Sequence, residues 1–281
     1  MNDQTNRRKR QHIEVIGRDE GVERNGRFFD AMSLQHRAMP EINLADVDPS
    51  IEIMGKRLSF PLLISSMTGG DDVLVEKVNQ RLAQAAQITG VAMGVGSQRV
   101  MLEDKKAAAS FDLRKYAPDA LLFANIGAIQ LNNGMGPDQL QKAIDVLAAD
   151  AIFLHLNPLQ EAVQPEGDTN FANLAQAIGH AQANLNVPVV LKEVGAGLSV
   201  ADIELGMRHG IKWFDVAGRG GTSWARIEQQ RRQDTHTLGF TLQDWGIPTP
   251  LAMKNARPYM QDAHFIASGG MRNGLDLIKS V

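Results

Sequence analysis

Residues 151–157 read AIFLHLN, and this stretch decides the fold. It is short and apolar up to a histidine and an asparagine, which is typical of a strand that is covered on both faces and ends at a polar edge. Similar runs recur along the chain on either side of it. The others are 61–67, 91–96, 121–125, 188–192, 213–218 and 264–268.

The segments between these runs carry apolar residues at helical spacing. Residues 72–88 and 138–149 are the clearest, and a shorter segment contains Asp202, Gly206 and His209. Strand and helix alternate at roughly 30 residues per unit, and about seven such units predict an α/β fold, a (β/α)₈ TIM barrel, rather than an open sheet. The predicted core-facing stripes are Val75, Val78, Leu82 and Ala86 in the first segment and Leu140, Ile144 and Leu147 in the second.

Two regions depart from this alternation. We expect residues 1–55 to form an N-terminal extension and cap that carries a basic segment, and residues 56–281 to form a single barrel domain. Residues 51–60 predict a hairpin with its turn at Gly55-Lys56, and residues 219–250 predict a long loop that covers or binds a ligand. The chain ends inside the helix that should follow the seventh strand, so we expect the eighth strand and helix of the barrel to lie outside it.

Composition excludes several kinds of site. Hydrophobic residues make up 43% of the 281, enough for a sizeable core, and a net charge of −3 gives no general attraction to nucleic acid. Because cysteine is absent, disulfides, thiolate metal sites and cysteine nucleophiles are excluded. No apolar stretch approaches the ~18 residues of a membrane span and no secretory signal is present, which predicts a cytoplasmic protein.

Glycine pairs follow the last two strands of the repeat. Gly220-Gly221 precedes Thr222, and Gly269-Gly270 precedes a predicted helix. Glycine lets backbone N–H groups approach an anion closely, and a helix N-terminus favours phosphate. Each pair alone is typical of a tight turn, but two pairs after adjacent late strands match the recurrent phosphate position of barrels.

Polar residues also cluster where strands end. His155 and Asn157 lie two apart on one strand, hence on the same side, and Gln160 and Glu161 follow. Unpaired buried polar groups are costly, so this group predicts a site rather than core packing. Glu161 is a hard oxygen ligand suited to Mg²⁺, although it equally suits a loop salt bridge. Lys192 ends an apolar strand, where its cation would stabilise negative charge on a ligand.

Basic residues at the N-terminus form a second candidate group. Residues 7–10 read RRKR and His12 follows. Such runs are usually solvated tails, but they also fold over anionic substrates and supply charge-assisted hydrogen bonds. Arg99 after the second strand would join them. For Trp224, capping a pocket and simple packing remain equally open.

Taken together, these segments resemble the type 2, FMN-dependent isopentenyl diphosphate isomerases over almost the whole chain. The strand-four and strand-six motifs are specific in combination, whereas the glycine loops alone are not. The segments that carry the resemblance are Arg8-Lys9, Gln11-His12-Ile13, 66–70 (SMTGG), 96–99 (GSQR), 155–161 (HLNPLQE), 220–224 (GGTSW) and 269–272 (GGMR).

The resemblance implies a role for each matched residue. Catalytic roles are implied for Lys192, His155 and Gln160, and Glu161 is the implied Mg²⁺ ligand. The implied flavin contacts are Ser66, Met67, Thr68, Ser97, Asn125, Lys192, Thr222, Gly270, Met271 and Arg272. The implied substrate contacts are Arg8, Lys9, His12, Arg99, His155, Asn157 and Gln160.

The implied reaction is a 1,3-proton shift that interconverts isopentenyl and dimethylallyl diphosphate in isoprenoid biosynthesis. Reduced FMN would act as acid and base, Mg²⁺ would help to hold the diphosphate, and NADPH would be needed only to reduce the flavin. The resemblance also implies a homo-oligomer, a tetramer or an octamer, with no nucleic-acid or membrane partner.

Two other functions remain open at this point. The first is an FMN-dependent barrel oxidoreductase of the 2-hydroxy-acid oxidase type, which uses a histidine base late in the barrel. His264 is the late histidine here, but it begins its strand and so lies at the end opposite the mouth. The second is a non-catalytic barrel that binds a flavin or a diphosphate.

Overall fold

The computed structural model describes residues 2–24, 26–66, 73–103, 105–232 and 234–281, with side chains at all of these except 2–7, 9, 103 and 105. Seven parallel strands form one sheet in which each strand lies beside the next one along the chain. All seven predicted strands are therefore confirmed. The barrel strands are β3 (Leu63–Ile64), β4 (Ala92–Gly94), β5 (Leu122–Gly127), β6 (Ala151–Leu156), β7 (Val189–Glu193), β8 (Trp213–Asp215) and β9 (His264–Ile266), and they follow a hairpin of β1 (Ile51–Ile53) and β2 (Lys56–Leu58).

Helices separate the parallel strands, as the alternation predicts. Those that contribute buried apolar residues to the larger core cluster cover one face of the sheet. The helices are α1 (Asn2–Arg18), α2 (Val73–Thr89), α3 (Arg99–Glu103), α4 (Pro137–Leu147), α5 (Pro158–Val163), α6 (Leu174–Asn184), α7 (Val200–Arg208), α8 (Trp224–Arg231), α9 (Leu238–Thr241), α10 (Thr249–Ala256) and α11 (Gly274–Ile278).

The predicted inward stripe of α4 is confirmed, since its three leucine and isoleucine positions are buried. The stripe of α2 is only partly right, because Val78 and Leu82 are half-buried. The positions beside them, Asn79 and Ala83, are fully buried instead. Asn79 is tolerated there because its Nδ2 donates to the Ser110 carbonyl oxygen at 3.0 Å.

Alternation along the strands divides the core in two. One set of side chains packs between the sheet and the helices. The other set fills the opposite face, where Phe123 and Phe153 stack with ring centroids 4.7 Å apart. Leu58 of the hairpin packs into this inner cluster, so the hairpin covers its floor. The turn of the hairpin lies at Met54-Gly55, one residue earlier than predicted, because Ile53 pairs with Lys56.

The predicted long loop at 219–250 is wrong as a description of this region. It contains helices α8 and α9, and α8 packs against α1. Val15, Val22 and Ile227 form a small buried cluster between them, apart from the barrel core. Helix α1 thereby lies at the cavity mouth, where Arg8 and His12 reach the cavity wall. Across the described ranges, the structure contains no helix with the length and hydropathy that a bilayer crossing requires.

Candidate active site

A cavity of about 490 Å³ opens at the carboxyl ends of the strands. Its wall includes a residue after each of β3, β4, β6, β7, β8 and β9 and the last residue of β5, which is where barrel enzymes carry their sites. Most of the predicted site residues lie together on this wall. They are Arg8, His12, Ser66, Ser97, Arg99, Asn125, His155, Asn157, Gln160, Glu161, Lys192, Thr222, Gly270 and Met271.

The four other predicted site residues are Lys9, Met67, Thr68 and Arg272. Met67 and Thr68 lie outside the described residues, as does the side chain of Lys9. Arg272 is described, and its guanidinium binds backbone: Nη1 donates to the carbonyl oxygens of Gly220 and Gly270 at 3.1 and 3.0 Å. It fixes the two glycine loops relative to each other.

Lys192 lies buried near the floor of the cavity, and its ammonium group is paired. Nζ donates to Asp215 Oδ2 at 2.7 Å and lies 5.7 Å from the ring centroid of Phe153. The other carboxylate oxygen of Asp215 accepts from Ser268 Oγ at 2.5 Å and from the Ala217 amide at 3.1 Å. The fully buried Asp215 carboxylate is thus the direct hydrogen-bond partner of the lysine side chain, and other donors hold it in place.

His155 is half-buried on β6, in register with Gly127 and Lys192 of the adjacent strands. Its Nδ1 lies 2.8 Å from Asn125 Oδ1. Burial, and then the positive charges of Lys192 and Arg8, lower the pKa of His155 to about 4. The imidazole is therefore neutral at neutral pH before an anion binds.

Glu161 and Asn157 form an oxygen-rich corner. Asn157 Nδ2 donates to Glu161 Oε1 at 2.8 Å, and the Asp168 amide donates to Glu161 Oε2 at 2.7 Å. Burial raises the pKa of Glu161. Each carboxylate oxygen keeps a lone pair for a cation. The described residues contain no cluster of three or more metal-ligating side chains, so a cation here would also need oxygens from substrate or water.

Glu228 of α8 is a site residue that the sequence analysis missed. Its side chain is fully buried, and its Oε1 accepts from Gln160 Nε2 at 2.7 Å and from His12 Nε2 at 3.0 Å. Its Oε2 pairs with Arg231. Burial raises the pKa of Glu228, but the hydrogen bond from His12 and the charge of Arg231 outweigh it and the pKa is lowered. Glu228 therefore joins α1, α5 and α8 behind the cavity wall.

Known proteins are similar to this chain in sequence. A family described as FMN-dependent dehydrogenase matches residues 6–117. The isopentenyl-diphosphate delta-isomerase of Hydrogenovibrio crunogenus is 55% identical over 98% of this chain and 80% of its own length. The isomerases of Paracoccus zeaxanthinifaciens and a Nostoc species are 53% and 46% identical, over 98% and 99% of this chain and 80% of each relative. The chain belongs to the isopentenyl-diphosphate delta-isomerase family. The resemblance read from the sequence is thus confirmed, and the match to an FMN-dependent family agrees with it.

Solved structures support the fold of this isomerase-family chain. A flavocytochrome b2 variant superposes with a TM-score of 0.59 at 13% identity, over 90% of this chain and 61% of that one. A mandelate oxidase variant with an FMN adduct gives 0.53 at 18%, over 85% and 66%. These likenesses confirm the (β/α)₈-type fold. The oxidase alternative is not favoured, because His264 is exposed and stacks on Trp213 at the amino ends of β8 and β9.

The cavity of this isomerase-family member fits the flavin that its family match implies. Gly269 and Gly270 have φ angles of +103° and +79°, and a Cβ on Gly221 would lie 3.0 Å from the Gly270 amide nitrogen. The two loops can approach this closely only as glycine, which leaves backbone N–H groups for a phosphate. Ser66 also lines the cavity, and its buried Oγ has no hydrogen-bond partner among the described residues. A polar ring edge would satisfy it.

Proposed function

We propose that this protein interconverts isopentenyl and dimethylallyl diphosphate with FMN and Mg²⁺. The observation that carries the proposal is 55% identity to an isopentenyl-diphosphate delta-isomerase over 98% of the chain. The cavity supports it, because cationic and amide side chains surround one part and glycine loops border another. The region of cationic and amide side chains suits a diphosphate, and the region of the glycine loops suits a flavin phosphate.

Residues of α1, α3 and α5 would hold the diphosphate. Arg8 and Arg99 carry N–H donors on the cavity wall, and His12, Asn157 and Gln160 line the same cavity. Arginine donors bind phosphate oxygens through charge-assisted hydrogen bonds, which are about twice as strong as neutral ones. Glu228 fixes the Gln160 amide and the His12 ring before substrate arrives. This preorganisation lowers the entropy cost of binding.

Glu161 would hold Mg²⁺ against the diphosphate. Its oxygens already accept from Asn157 and the Asp168 amide, which orients the carboxylate. Magnesium in such sites usually keeps several waters and binds one or two carboxylates together with substrate phosphates. A single protein carboxylate is therefore sufficient.

The chemistry that reduced FMN would supply when bound is acid–base catalysis of the allylic proton shift. NADPH is proposed only as the reductant of the flavin. Lys192 would place its positive charge against the negative charge of the reduced ring. Asp215 holds that ammonium in place. Ser66, Ser97, Asn125 and Thr222 would orient the ring from the walls, and Met271 would pack beside it.

The test measures deuterium incorporation. The protein loaded with FMN and Mg²⁺ is incubated with isopentenyl diphosphate in D₂O, with the flavin either photoreduced or oxidised. We expect deuterium in dimethylallyl diphosphate only when the flavin is reduced. Protein that binds no FMN, or that forms no product with reduced FMN, would overturn the proposal.

A cytoplasmic location, a tetramer or octamer and the absence of nucleic-acid and membrane partners stay predictions from the sequence.

A further inference from the structure

The two ring nitrogens of His155 have different surroundings. Nδ1 faces Asn125 Oδ1 at 2.8 Å. The Asn125 amide cannot be reversed, because its Nδ2 donates to the Val95 carbonyl oxygen at 2.9 Å and a reversed amide would set two acceptors against each other. Asn125 Oδ1 therefore accepts, and Nδ1 carries a hydrogen. In the neutral ring the lone pair is then on Nε2.

Nε2 of His155 belongs to the cavity. It lies beside Gly127, where an added Cβ would come within 3.1 Å of it, and both residues line the cavity wall. Among the described residues, none forms a hydrogen bond with Nε2. The ring thus presents an acceptor where the proposed function places a diphosphate, whose oxygens are also acceptors.

Burial, and then the cations that face His155, keep the ring neutral without a ligand. Lys192 lies next to it on β7, and Arg8 approaches from α1. Both lower the pKa of His155, after the larger effect of burial. A diphosphate beside the ring would reverse this field, since its negative charges offset the two cations and favour the imidazolium.

The acids near His155 are already engaged. Asp215 of β8 is bound to Lys192. Glu193 of β7 turns its Oε2 to the amides of residues 194–197, at 2.7 Å for Val194. Glu161 of α5 accepts from Asn157 and from the Asp168 amide. On β5, Asn125 and Gly127 carry no charge. No carboxylate of the described residues is therefore hydrogen-bonded to the ring, and an incoming anion would be the group that stabilises its charge.

We propose that His155 binds a substrate phosphate oxygen as an imidazolium, so that diphosphate binding takes up one proton from solvent, and that Asn125 is the positioning residue that leaves Nε2 to receive it. The proton adds to the Nε2 lone pair, and the new N–H donates to the phosphate oxygen. A repulsive contact between two acceptors becomes a charge-assisted hydrogen bond. The inference rests on the proposed function for the identity of the diphosphate.

Calorimetry tests the proton uptake. Dimethylallyl diphosphate is titrated into the protein loaded with oxidised FMN and Mg²⁺ at pH 8, in two buffers of different ionisation enthalpy. At this pH the phosphate groups, with a pKa of about 6, are already ionised and contribute little uptake. We expect net proton uptake on binding, with an upper limit of one proton per site. No uptake by the unmodified protein would overturn the proposal.

Two variants and a control identify the group. His155→Gln places an amide donor near the Nε2 position, so binding should persist within about tenfold while uptake disappears. Asn125→Leu removes the acceptor at Nδ1, so a neutral ring with hydrogen on Nε2 can bind and uptake should fall. His180→Gln, at an exposed position on α6, should leave uptake unchanged. Uptake that persists in His155→Gln would contradict the proposal.

Nitrogen-15 NMR of histidine-labelled protein provides a readout that needs no turnover. Without substrate, Nδ1 of His155 should give a protonated-type shift and Nε2 an unprotonated-type shift at pH 8; with diphosphate, both should be of the protonated type. Hydrogen on Nε2 in the ligand-free protein would refute the role of Asn125. Failure of isomerisation with these shifts intact would reject the proposed function and leave this inference standing. Turnover without proton uptake would reject this inference and leave the proposed function standing.

Discussion

Lys192 and Asp215 occupy paired positions on adjacent strands, and their Nζ and Oδ2 atoms lie 2.7 Å apart. Both side chains are almost fully buried. Removing one partner of such a pair leaves an uncompensated charge at a cost of about 3–5 kcal/mol. Breaking the pair should therefore change both the free energy of unfolding and the environment of the ammonium group that is proposed to face the flavin.

We expect Asp215→Asn to lower the unfolding free energy by about 3 kcal/mol and to weaken FMN binding, because Lys192 loses its counter-charge. Thermal and denaturant unfolding without FMN measure the first effect, and fluorescence titration with FMN measures the second. Asp262→Asn, at an exposed position, is the control. Unchanged stability in Asp215→Asn would show that the pair contributes nothing net.

Glu228→Gln should raise the KM for isopentenyl diphosphate by about tenfold and leave FMN affinity nearly unchanged. The neutral amide weakens the charge-assisted hydrogen bonds that fix His12 and Gln160, each worth about 1.5–3 kcal/mol. Steady-state kinetics and flavin titration separate the two effects. The exposed Glu52→Gln serves as the matched control. A loss of FMN binding without a change in KM would be inconsistent with this role.

Glu161→Gln should raise the Mg²⁺ concentration for half-maximal activity by about tenfold or more, because a carboxylate ligand becomes neutral. The new amide would also place N–H groups against either the Asp168 amide or Asn157 Nδ2, so the corner should loosen. Activity measured across a magnesium series gives the shift. Glu14→Gln on the exposed side of α1 controls for lost charge. An unaltered magnesium requirement would argue against Glu161 as the ligand.

Gly270→Ala should weaken FMN binding by at least about tenfold. Its Cβ would lie 2.6 Å from the Gly220 carbonyl carbon, at a φ of +79° that alanine rarely adopts. Gly274→Ala, at the start of α11, is a matched control, because its added Cβ meets no atom within 4 Å beyond its own chain neighbours and helix backbone. Equilibrium dialysis of FMN compares the two variants. Equal affinities would place the flavin phosphate elsewhere.

The ion pair of Asp19 with Arg226 predicts a stability change in acid. The hydrogen bond from Arg226 is the main cause that lowers the pKa of Asp19 from 3.8 to about 2. The folded pKa lies below the unfolded one, so the stabilisation is present above pH 3.8 and is lost as pH falls through 2. After allowance for solvent screening it is about 1 kcal/mol.

Denaturant unfolding of the unmodified protein and Asp19→Asn at pH 5 and pH 3 measures this contribution. The difference in unfolding free energy should be larger at pH 5 and shrink towards pH 3. A difference that grows on acidification would mean that the ion pair is not its source.

The sequence predicts the strands well and the buried polar pairs poorly. Parallel strands covered on both faces read as continuous apolar runs, so β5 and β6 are visible from composition alone. Asp215 lies inside such a run. The sequence did not predict its ion pair, because its partner Lys192 is on a different strand. Pairing across a sheet is set by register, which a single sequence does not reveal.

Helix α8 was missed for a related reason. Its buried positions include Glu228 and Gln229, so the segment is polar on the face that points inward and reads as a loop. The burial is favourable only because His12 and Arg231 satisfy the carboxylate. One of these partners lies more than two hundred positions away, beyond the reach of any local pattern.

The apolar contact of helix α1 with α8 is the small cluster of Val15, Val22 and Ile227, which is separate from the barrel core, and the His12–Glu228 hydrogen bond adds a polar contact. Because few apolar side chains are buried at this contact, we expect the amides of α1 to exchange with deuterium sooner than those of β5 and β6. Access to the cavity would then depend on α1, and the stability of the barrel would depend on its own core. A substitution could therefore alter one property and leave the other unchanged.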